Sequence, residues 1–472
     1  MKNISVAAVS NHHSRPWLDY RAVWRWHFYA GLFAIPFIIW LSITGSIYLF
    51  SPQINRWLDR PYDHLTFTGP IASPARQVEV ALAAVPGSNL HYYQLPRTAH
   101  SAAQIIVGRG RTEYRVYVNP QTLAVMKTIE EEHRPMRILF HLHGELLMGA
   151  RGSNVIELAA SWTIVLIFTG LYLWWPRQSE SLAGVLYLRL REGKRIFWRD
   201  LHSVTAVWIC AWALFLLFSG LPWAAGWGGY LKKVRSLAGT AVVRQDWTTG
   251  SNSELEQRMA LNRNSLAGSA VQHSEHMTHM GHVELGPDAY APLAKMIATV
   301  APLDLPFPVL ISPPIRKGGP WTSKSDVANR PERVNLTLDP NTGAVLQRQG
   351  FRQSDFIDKV VAVVVAAHEG QLFGLANQIV GLGTAVGLIL VCVSSIVMWW
   401  RRRDAGVLGA PVAIRRPRVS FGLITVVVLL GVYLPMMGCS LIVVLLMEHL
   451  ILRRIPATRH WLGLRMNSSE RS

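Results

Sequence analysis

The chain of 472 residues has only three cysteines, Cys210, Cys392 and Cys439, and all three fall inside apolar runs. That excludes a disulfide framework and any metal centre built on cysteine. There is no Cys-x-x-Cys-His, which excludes covalent attachment of a c-type haem, and no Gly-rich dinucleotide fingerprint. No nucleophile with a neighbouring general base stands out either. Acidic residues are scarce, 29 against 47 Lys and Arg, for a net charge of +18. Such an excess can mark a nucleic-acid partner. Here the basic residues cluster beside apolar runs, as the topology signals of membrane proteins do, so no nucleic acid is expected.

What the chain does have is hydrophobicity, tryptophan and a repeat. Half of its residues are hydrophobic, and several of its 18 Trp (Trp24, Trp26, Trp174, Trp175, Trp399, Trp400) sit at the ends of apolar runs, where an aromatic belt belongs. His143 precedes Gly149 by six positions and the pair Trp174-Trp175 by thirty-one; His368 stands in the same relation to Gly374 and Trp399-Trp400. His27 precedes Gly45 of a Thr-Gly by eighteen, and His202 precedes Gly220 of a Ser-Gly by eighteen. Matched spacings around four histidines indicate a duplicated unit. Each unit supplies two membrane helices, and each helix is associated with one histidine.

Read in order, residues 1–26 are a basic cytoplasmic N-terminus and 27–50 the first span, with Pro36 a kink; the run is too long for the h-region of a cleaved signal. Residues 51–135 form a small outer domain. It has a helix near Gln77 to Val85, and alternating stretches at Gln104 to Val107 and Tyr114 to Val118 end in the turn Asn119-Pro-Gln-Thr. Residues 136–175 are an outer histidine segment and the second span, 176–200 a basic cytoplasmic loop, and 201–223 the third span. A second outer domain occupies 224–355, with a helical pattern at Tyr290 to Val300 and alternation at Val334 to Leu338 before the turn at Asp339. Residues 356–400 repeat the histidine segment and span, 401–418 are basic and cytoplasmic, 419–452 are a hairpin of two short spans broken near Pro435, and 453–472 are a cytoplasmic tail. The expected fold is a mainly α-helical membrane protein. It has a four-helix core made of a duplicated helix pair, a C-terminal hairpin and two small α+β periplasmic domains. Six spans put both termini in the cytoplasm.

Ionisable side chains at membrane spans are costly and therefore functional candidates. His27 and His202 lie at the cytoplasmic ends of their spans, His143 and His368 at the outer ends. Two neutral imidazoles opposed across a bundle form an axial site for haem. A lone histidine near a helix end is more often an interfacial residue; four in two matched pairs fit that reading poorly. His141 is the rival to His143, and His449 reads as interfacial. Thirty-one helical residues would measure ~46 Å, against a hydrocarbon core of ~30 Å. The second and fourth helices must therefore project from the bilayer or bend, at Gly149 and Gly152 in one copy and Gly374 and Gly381 in the other. Either way His143 and His368 lie at or beyond the outer surface.

The His-x5-Gly segment leading into a span that ends Trp-Trp-Pro-Arg or Trp-Trp-Arg-Arg resembles the PepSY-associated transmembrane family. So do Arg-Asp-Leu-His202 opening a span and small domains ending in (Asn/Asp)-Pro-x-Thr. The resemblance covers roughly residues 20 to 403. It implies a bacterial inner-membrane reductase of the kind that reduces ferric iron held by periplasmic siderophores, with two b-type haems, one on His27 with His202 and one on His143 with His368. Relatives with a fused flavin module have no counterpart here. The electron donor is therefore expected to be a cytoplasmic reductase or membrane quinol.

The second outer segment adds His273, His276, Met277, His279, Met280 and His282. Imidazole with thioether suits copper, although a His-rich tract is compositional evidence only. A copper-linked reductase and a non-enzymatic periplasmic binding or regulatory protein are the alternatives. An importer of the chelate is disfavoured because no span is interrupted near its middle in the way transporter sites use.

Overall fold

A bilayer offers no partner to a bare peptide group, so apolar runs can cross it only as helices. The computed structural model describes residues 19–176, 182–237, 290–315, 318–411, 421–452 and 454–462. In chain order its helices are α1 (Tyr20–Tyr48), α2 (Ser51–Asp59), α3 (Pro74–Ala84), α4 (Pro135–Glu145), α5 (Ala150–Trp174), α6 (Lys194–Gly220), α7 (Ala225–Leu237), α8 (Leu293–Val300), α9 (Phe356–His368), α10 (Leu375–Arg402), α11 (Phe421–Tyr433), α12 (Pro435–Met447) and α13 (Pro456–Trp461). The strands are β1 (Asn89–Gln94), β2 (Ala103–Arg109), β3 (Thr112–Val118), β4 (Val125–Glu130), β5 (Val309–Ser312), β6 (Trp321–Ser325), β7 (Val334–Leu338) and β8 (Val345–Gly350). The chain divides into two compact units, one of Met1–Ile39, Glu157–Leu214 and Gly387–Ser472, the other of Trp40–Ile156 and Phe215–Val386.

Among the described residues five helical segments are long and apolar enough to cross a membrane: α1, α5, α6 with its extension to Trp223, α10, and Pro435–Leu452. The protein is a multi-pass membrane protein. Among the described residues the expected sixth span is not long enough to count with these. The thirteen residues of α11 measure ~20 Å, less than the hydrocarbon core. The C-terminal region is nonetheless a hairpin. A Cβ on Gly431 would stand 3.4 Å from the Cα of Gly438, whereas seven residues of straight helix would hold them ~10 Å apart. The chain has therefore turned back at Leu434-Pro435. Beyond it, the carbonyl of Trp461 accepts from the amide of Leu408 (2.9 Å) and that of Leu462 from Tyr29 Oη (2.8 Å). Segments before and after the hairpin thus meet beside the start of α1.

Two sequence boundaries move. The first and third helices begin at Tyr20 and Lys194, so His27 and His202 lie about two turns inside them rather than at their starts. The second and fourth do not run on from their histidines. Leu146, Leu147 and Gly149 take positive φ (52°, 57° and 56°), as do Gly370 and Gly374 (73° and 57°), and separate α4 from α5 and α9 from α10. The bend falls at Gly149 and Gly374, while Gly152 and Gly381 are helical. Gly152 has a different role: a Cβ there would stand 1.7 Å from the carbonyl oxygen of Glu145, so only glycine lets the end of α4 settle against α5.

The second unit departs most from the sequence reading. Two separate domains were expected. Instead all the strands form one antiparallel sheet in the order β4-β3-β2-β1-β5-β6-β7-β8. Each half has an open first strand, a template for pairing, and the two halves close each other's edge. Tyr93 pairs with Ile311 and Gln94 with Leu310, and the amide of Leu95 donates to Val309 (2.9 Å). The core is shared: Val78 and Ala81 of α3, Leu293 and Met296 of α8, and Ile105, Ile311, Leu336 and Leu338 of the sheet pack in one buried cluster. The motif turns cap their strands through side chains. Asn119 Oδ1 accepts from the amides of Gln121 and Thr122, and Asp339 Oδ1 from those of Asn341 and Thr342.

Side chains alternate along a strand, so Arg115 and Tyr117 of β3 leave that core on the other face. Buried Arg115 donates to Gln94 (2.6 Å), Gln104 (2.7 Å) and Glu131, and Tyr117 donates to Asp59 (2.8 Å). Arg134 pairs with both Asp59 and Glu131 immediately before α4 begins. This polar network ties the sheet to the helix that carries His143.

Candidate functional site

Each of the four matched histidines has one ring nitrogen committed, and in every case it is Nδ1. His27 Nδ1 lies 3.0 Å from Thr169 Oγ1, His143 Nδ1 2.9 Å from Thr44 Oγ1, and His368 Nδ1 2.7 Å from Ser219 Oγ. His202 Nδ1 lies 3.1 Å from the carbonyl of Val391. The direction of these bonds follows from a count of protons. A hydroxyl has one hydrogen, and each of these donates it backward along its own helix: Thr169 to Val165 (2.8 Å), Thr44 to Trp40 (2.8 Å), Ser219 to Leu216 (3.0 Å). A hydroxyl so committed accepts from its histidine, and a carbonyl only accepts, an arrangement that suits rings protonated on Nδ1. Their Nε2 atoms then carry the lone pairs, and no described residue donates to them.

Glycine brings the rings this close. A Cβ on Gly170 would stand 3.2 Å from His27 Cε1, one on Gly45 3.1 Å from His143 Cε1, and one on Gly220 3.6 Å from His368 Cε1. The dipeptides Thr44-Gly45, Thr169-Gly170 and Ser219-Gly220 thus work as units, in which the hydroxyl orients the ring and the missing side chain admits it. The sequence showed the conserved offsets of Gly45 and Gly220 but not the role of the hydroxyls beside them. That role could have been read from the residue type preceding each glycine.

The first unit brings His27 and His202 together, with ring centres 6.4 Å apart and ring planes at 86°. Two edge-to-face aromatic rings can also meet in this range. A metal bound by both nitrogens at about 2 Å separates ring centres by roughly 6 to 6.5 Å. The tautomers favour the second description, because lone pairs without donors need an acceptor of electrons. The residues therefore fit an axially ligated haem iron. In the second unit His143 lies within electrostatic reach of His368. Burial pushes the His143 imidazolium down to about 4, and the charge His368 would carry adds to this; burial likewise lowers His368 to about 4. Both are neutral bases at physiological pH, the state a ligand requires.

His141, two residues earlier on the same helix, has different surroundings. His141 Nε2 lies 2.7 Å from Glu132 and its Nδ1 2.9 Å from Glu145. Those two hydrogen bonds, Glu132 first, raise it to about 9. With a proton on each nitrogen it has no lone pair to offer.

The chain belongs to the PepSY-associated TM region family. The family model matches residues 24–402, from the first turns of α1 to the end of α10, and so takes in all four histidines and stops before the hairpin. A comparison with curated proteins finds no match. In this PepSY-associated protein the expected metal residues His273, His276, Met277, His279, Met280 and His282 lie outside the described residues. Among the described residues no group of three or more His, Cys, Asp or Glu is arranged to hold a metal ion. His449 lies in the wide helical turn Glu448–Leu452 that continues α12.

Proposed function

We propose that this PepSY-associated protein is a di-haem oxidoreductase of the bacterial inner membrane, reducing a periplasmic ferric chelate of the siderophore type. The observation that carries this reading is the set of four imidazoles, paired two by two, with Nδ1 satisfied and Nε2 free. A haem bound at each pair supplies one-electron transfer. His27 with His202, and His143 with His368, would hold the haem iron, while the hydroxyls and the Val391 carbonyl orient the rings and burial keeps the outer pair neutral. The basic segments beside His27 and His202 favour a cytoplasmic location for that pair and for both termini. His143 and His368 then belong to the outer side, with the sheet.

The electrons balance with a donor of the quinol or cytoplasmic reductase class. A quinol gives up two electrons in single steps and releases two protons, and each electron converts one Fe(III) to Fe(II). Ferrous iron binds hard oxygen donors more weakly, so release follows without hydrolysis of the chelator. No acid–base or nucleophilic group is required.

Two b-type haems per chain are expected by pyridine haemochrome, with split α and Soret bands after dithionite. In proteoliposomes of known orientation, a membrane-impermeant ferric chelate added outside should reoxidise the haems and release capturable Fe(II). A protein without haem bands would refute the reading and favour a non-enzymatic binding or regulatory role for the outer sheet. The copper-linked alternative draws support from the His/Met composition of residues 273–282. Reoxidation by Cu(II) but not by ferric chelates, lost when that tract is deleted, would select it.

A further inference from the structure

The two halves of the sheet differ at one connection. β2 and β3 are joined through Gly110-Arg111 alone, with Arg109 paired to Thr112. Between β6 and β7 that place is taken by residues 326–333, which include the short helical turn Arg330–Glu332, packed on α9. The loop is held by its own side chains. Arg333 donates from Nε to the Val327 carbonyl (2.8 Å) and pairs with Asp326 (3.1 Å), and Asn329 Nδ2 donates to Glu332 (2.7 Å). So built, it delivers Arg330 to the outer histidine pair.

Arg330 meets the surroundings of both rings. Its Nη2 stands 3.4 Å from Glu369 Oε1, and Glu369 directly follows His368. Its guanidinium lies 5.0 Å from the ring centre of Trp223, just beyond the Gly220 that admits His368. Tyr48, one turn past the Thr44 that orients His143, is within electrostatic reach of both Arg330 and Glu369.

For a side chain only 20% exposed, Arg330 is poorly satisfied. A well-placed carboxylate takes a guanidinium through two parallel hydrogen bonds of about 2.7–2.9 Å. Asp200 takes Arg189 in this way, at 2.8 and 2.9 Å. Glu369 makes a single contact with Arg330, and a long one. Arg330 Nε is buried and meets no acceptor among the described residues. A buried donor left unmade is costly, so such a group calls for a further partner. The other guanidiniums near Tyr48 are engaged, Arg137 by Glu132 (3.0 Å) and Arg333 by Asp326. A guanidinium lying over an aromatic face keeps its planar N–H edge for an oxyanion, and the group that matches this edge is a carboxylate. A b-type haem carries two propionates, and ferric chelates of the carboxylate class present the same group.

Resting on the di-haem reading, we propose that Arg330 is a carboxylate-binding site at the outer pair, its ligand a propionate of the outer haem or a carboxylate of the docked ferric chelate. The competing role is that of a counter-ion to Glu369 alone.

The test compares the wild-type protein in nanodiscs with Arg330→Gln and with the double variant Arg330→Gln/Glu369→Gln. Resonance Raman follows the propionate bending bands of the bound haems. Equilibrium dialysis against the oxidised protein gives the Kd of ferric citrate and of a neutral ferric trihydroxamate. With a propionate as ligand, Arg330→Gln shifts the band that His368→Ala removes and leaves both affinities in place. With a chelate carboxylate as ligand, the bands stay and the Kd of ferric citrate rises about tenfold or more, while that of the trihydroxamate does not move. In either case the double variant keeps the defect, because loss of Glu369 returns no cation to the site. Recovery in the double variant would reduce Arg330 to a counter-ion and overturn the inference, as would bands and affinities that Arg330→Gln leaves unmoved. Should Arg330→Gln fail to accumulate, Arg330→Lys decides. It keeps the charge without the planar fork and should move the same readout by less; no movement would overturn the inference. Absence of haem from the wild-type protein would overturn the reading beneath it.

Discussion

His141 and His143 lie two residues apart on one helix, yet one is a cation between two carboxylates and the other a neutral base. Successive helical positions are turned by about 100°, so the two rings face different surroundings. His141 meets Glu132 and Glu145, while His143 meets Thr44. The pair therefore provides an internal control for the assignment of the outer site. His143→Ala should halve the haem content by pyridine haemochrome and remove one of the two α-band components. His141→Ala should retain both. The reverse result would transfer the ligand role to His141.

Gly45 tests the close approach independently of the ligand itself. Its Cβ position is 3.1 Å from His143 Cε1, so the branches of valine would enter the space the ring occupies. Gly45→Val is expected to lose the outer haem and keep the inner one, measured by the same two bands. Unchanged spectra would mean that the ring can retreat without cost.

The network under the sheet should be sensitive to the loss of one partner. Arg115 is only 7% exposed, and removing one member of a buried ion pair costs about 3–5 kcal/mol because the other charge is left uncompensated. Arg115→Met should lower the thermal midpoint of the sheet substantially. Adding Glu131→Gln should restore part of the loss. Additive effects in the double variant would show that the two side chains are not coupled.

Glu131 and its neighbour Glu132 give the sheet an acid limit. Burial alone would raise the Glu131 carboxyl, but the guanidiniums of Arg115 and then Arg134 overcome it and hold it below the usual range. Glu132 is brought down to about 2, chiefly by the hydrogen bond from His141 and, against some desolvation, by Arg137. A depressed folded pKa contributes stability above the unfolded value of about 4.3 that is lost as pH falls. Hydrogen-exchange protection of β3 and β4 should therefore decline between about pH 4.3 and pH 2. Glu132→Gln should reduce the decline. Protection independent of pH across that window would contradict the assignment.

The fused sheet predicts that its halves unfold together. Ile311 is fully buried in the shared core, and Ile→Ala in such a site costs about 2–5 kcal/mol. Ile311→Ala should lower amide protection not only in β5 and β6 but also in β1 and β2. Loss confined to the second half would indicate two independently stable domains.

By itself the sequence determined the duplication, the helical runs, the four histidines and the two motif turns. These are encoded in local composition and in spacings that survive without knowledge of contacts. Val334 to Leu338 was legible as a strand because its residues alternate, and Asn119 and Asp339 as turn residues because their side chains satisfy their own backbone. Strands β1, β4, β5, β6 and β8 escaped notice: β4 and β8 are largely exposed strands at the two ends of the sheet, and β1 and β5 are completed by each other across a long separation in sequence. Only the tertiary structure decided that the two halves share one sheet, since an open edge at β1 carries no sign of which strand will cover it. It also gave His141 and His143 different surroundings, two carboxylates around one ring and a threonine hydroxyl beside the other. And it gave the hydroxyls of Thr44, Thr169 and Ser219 their direction, because only coordinates show that each hydrogen is already committed along its own helix and that the histidine must supply the other.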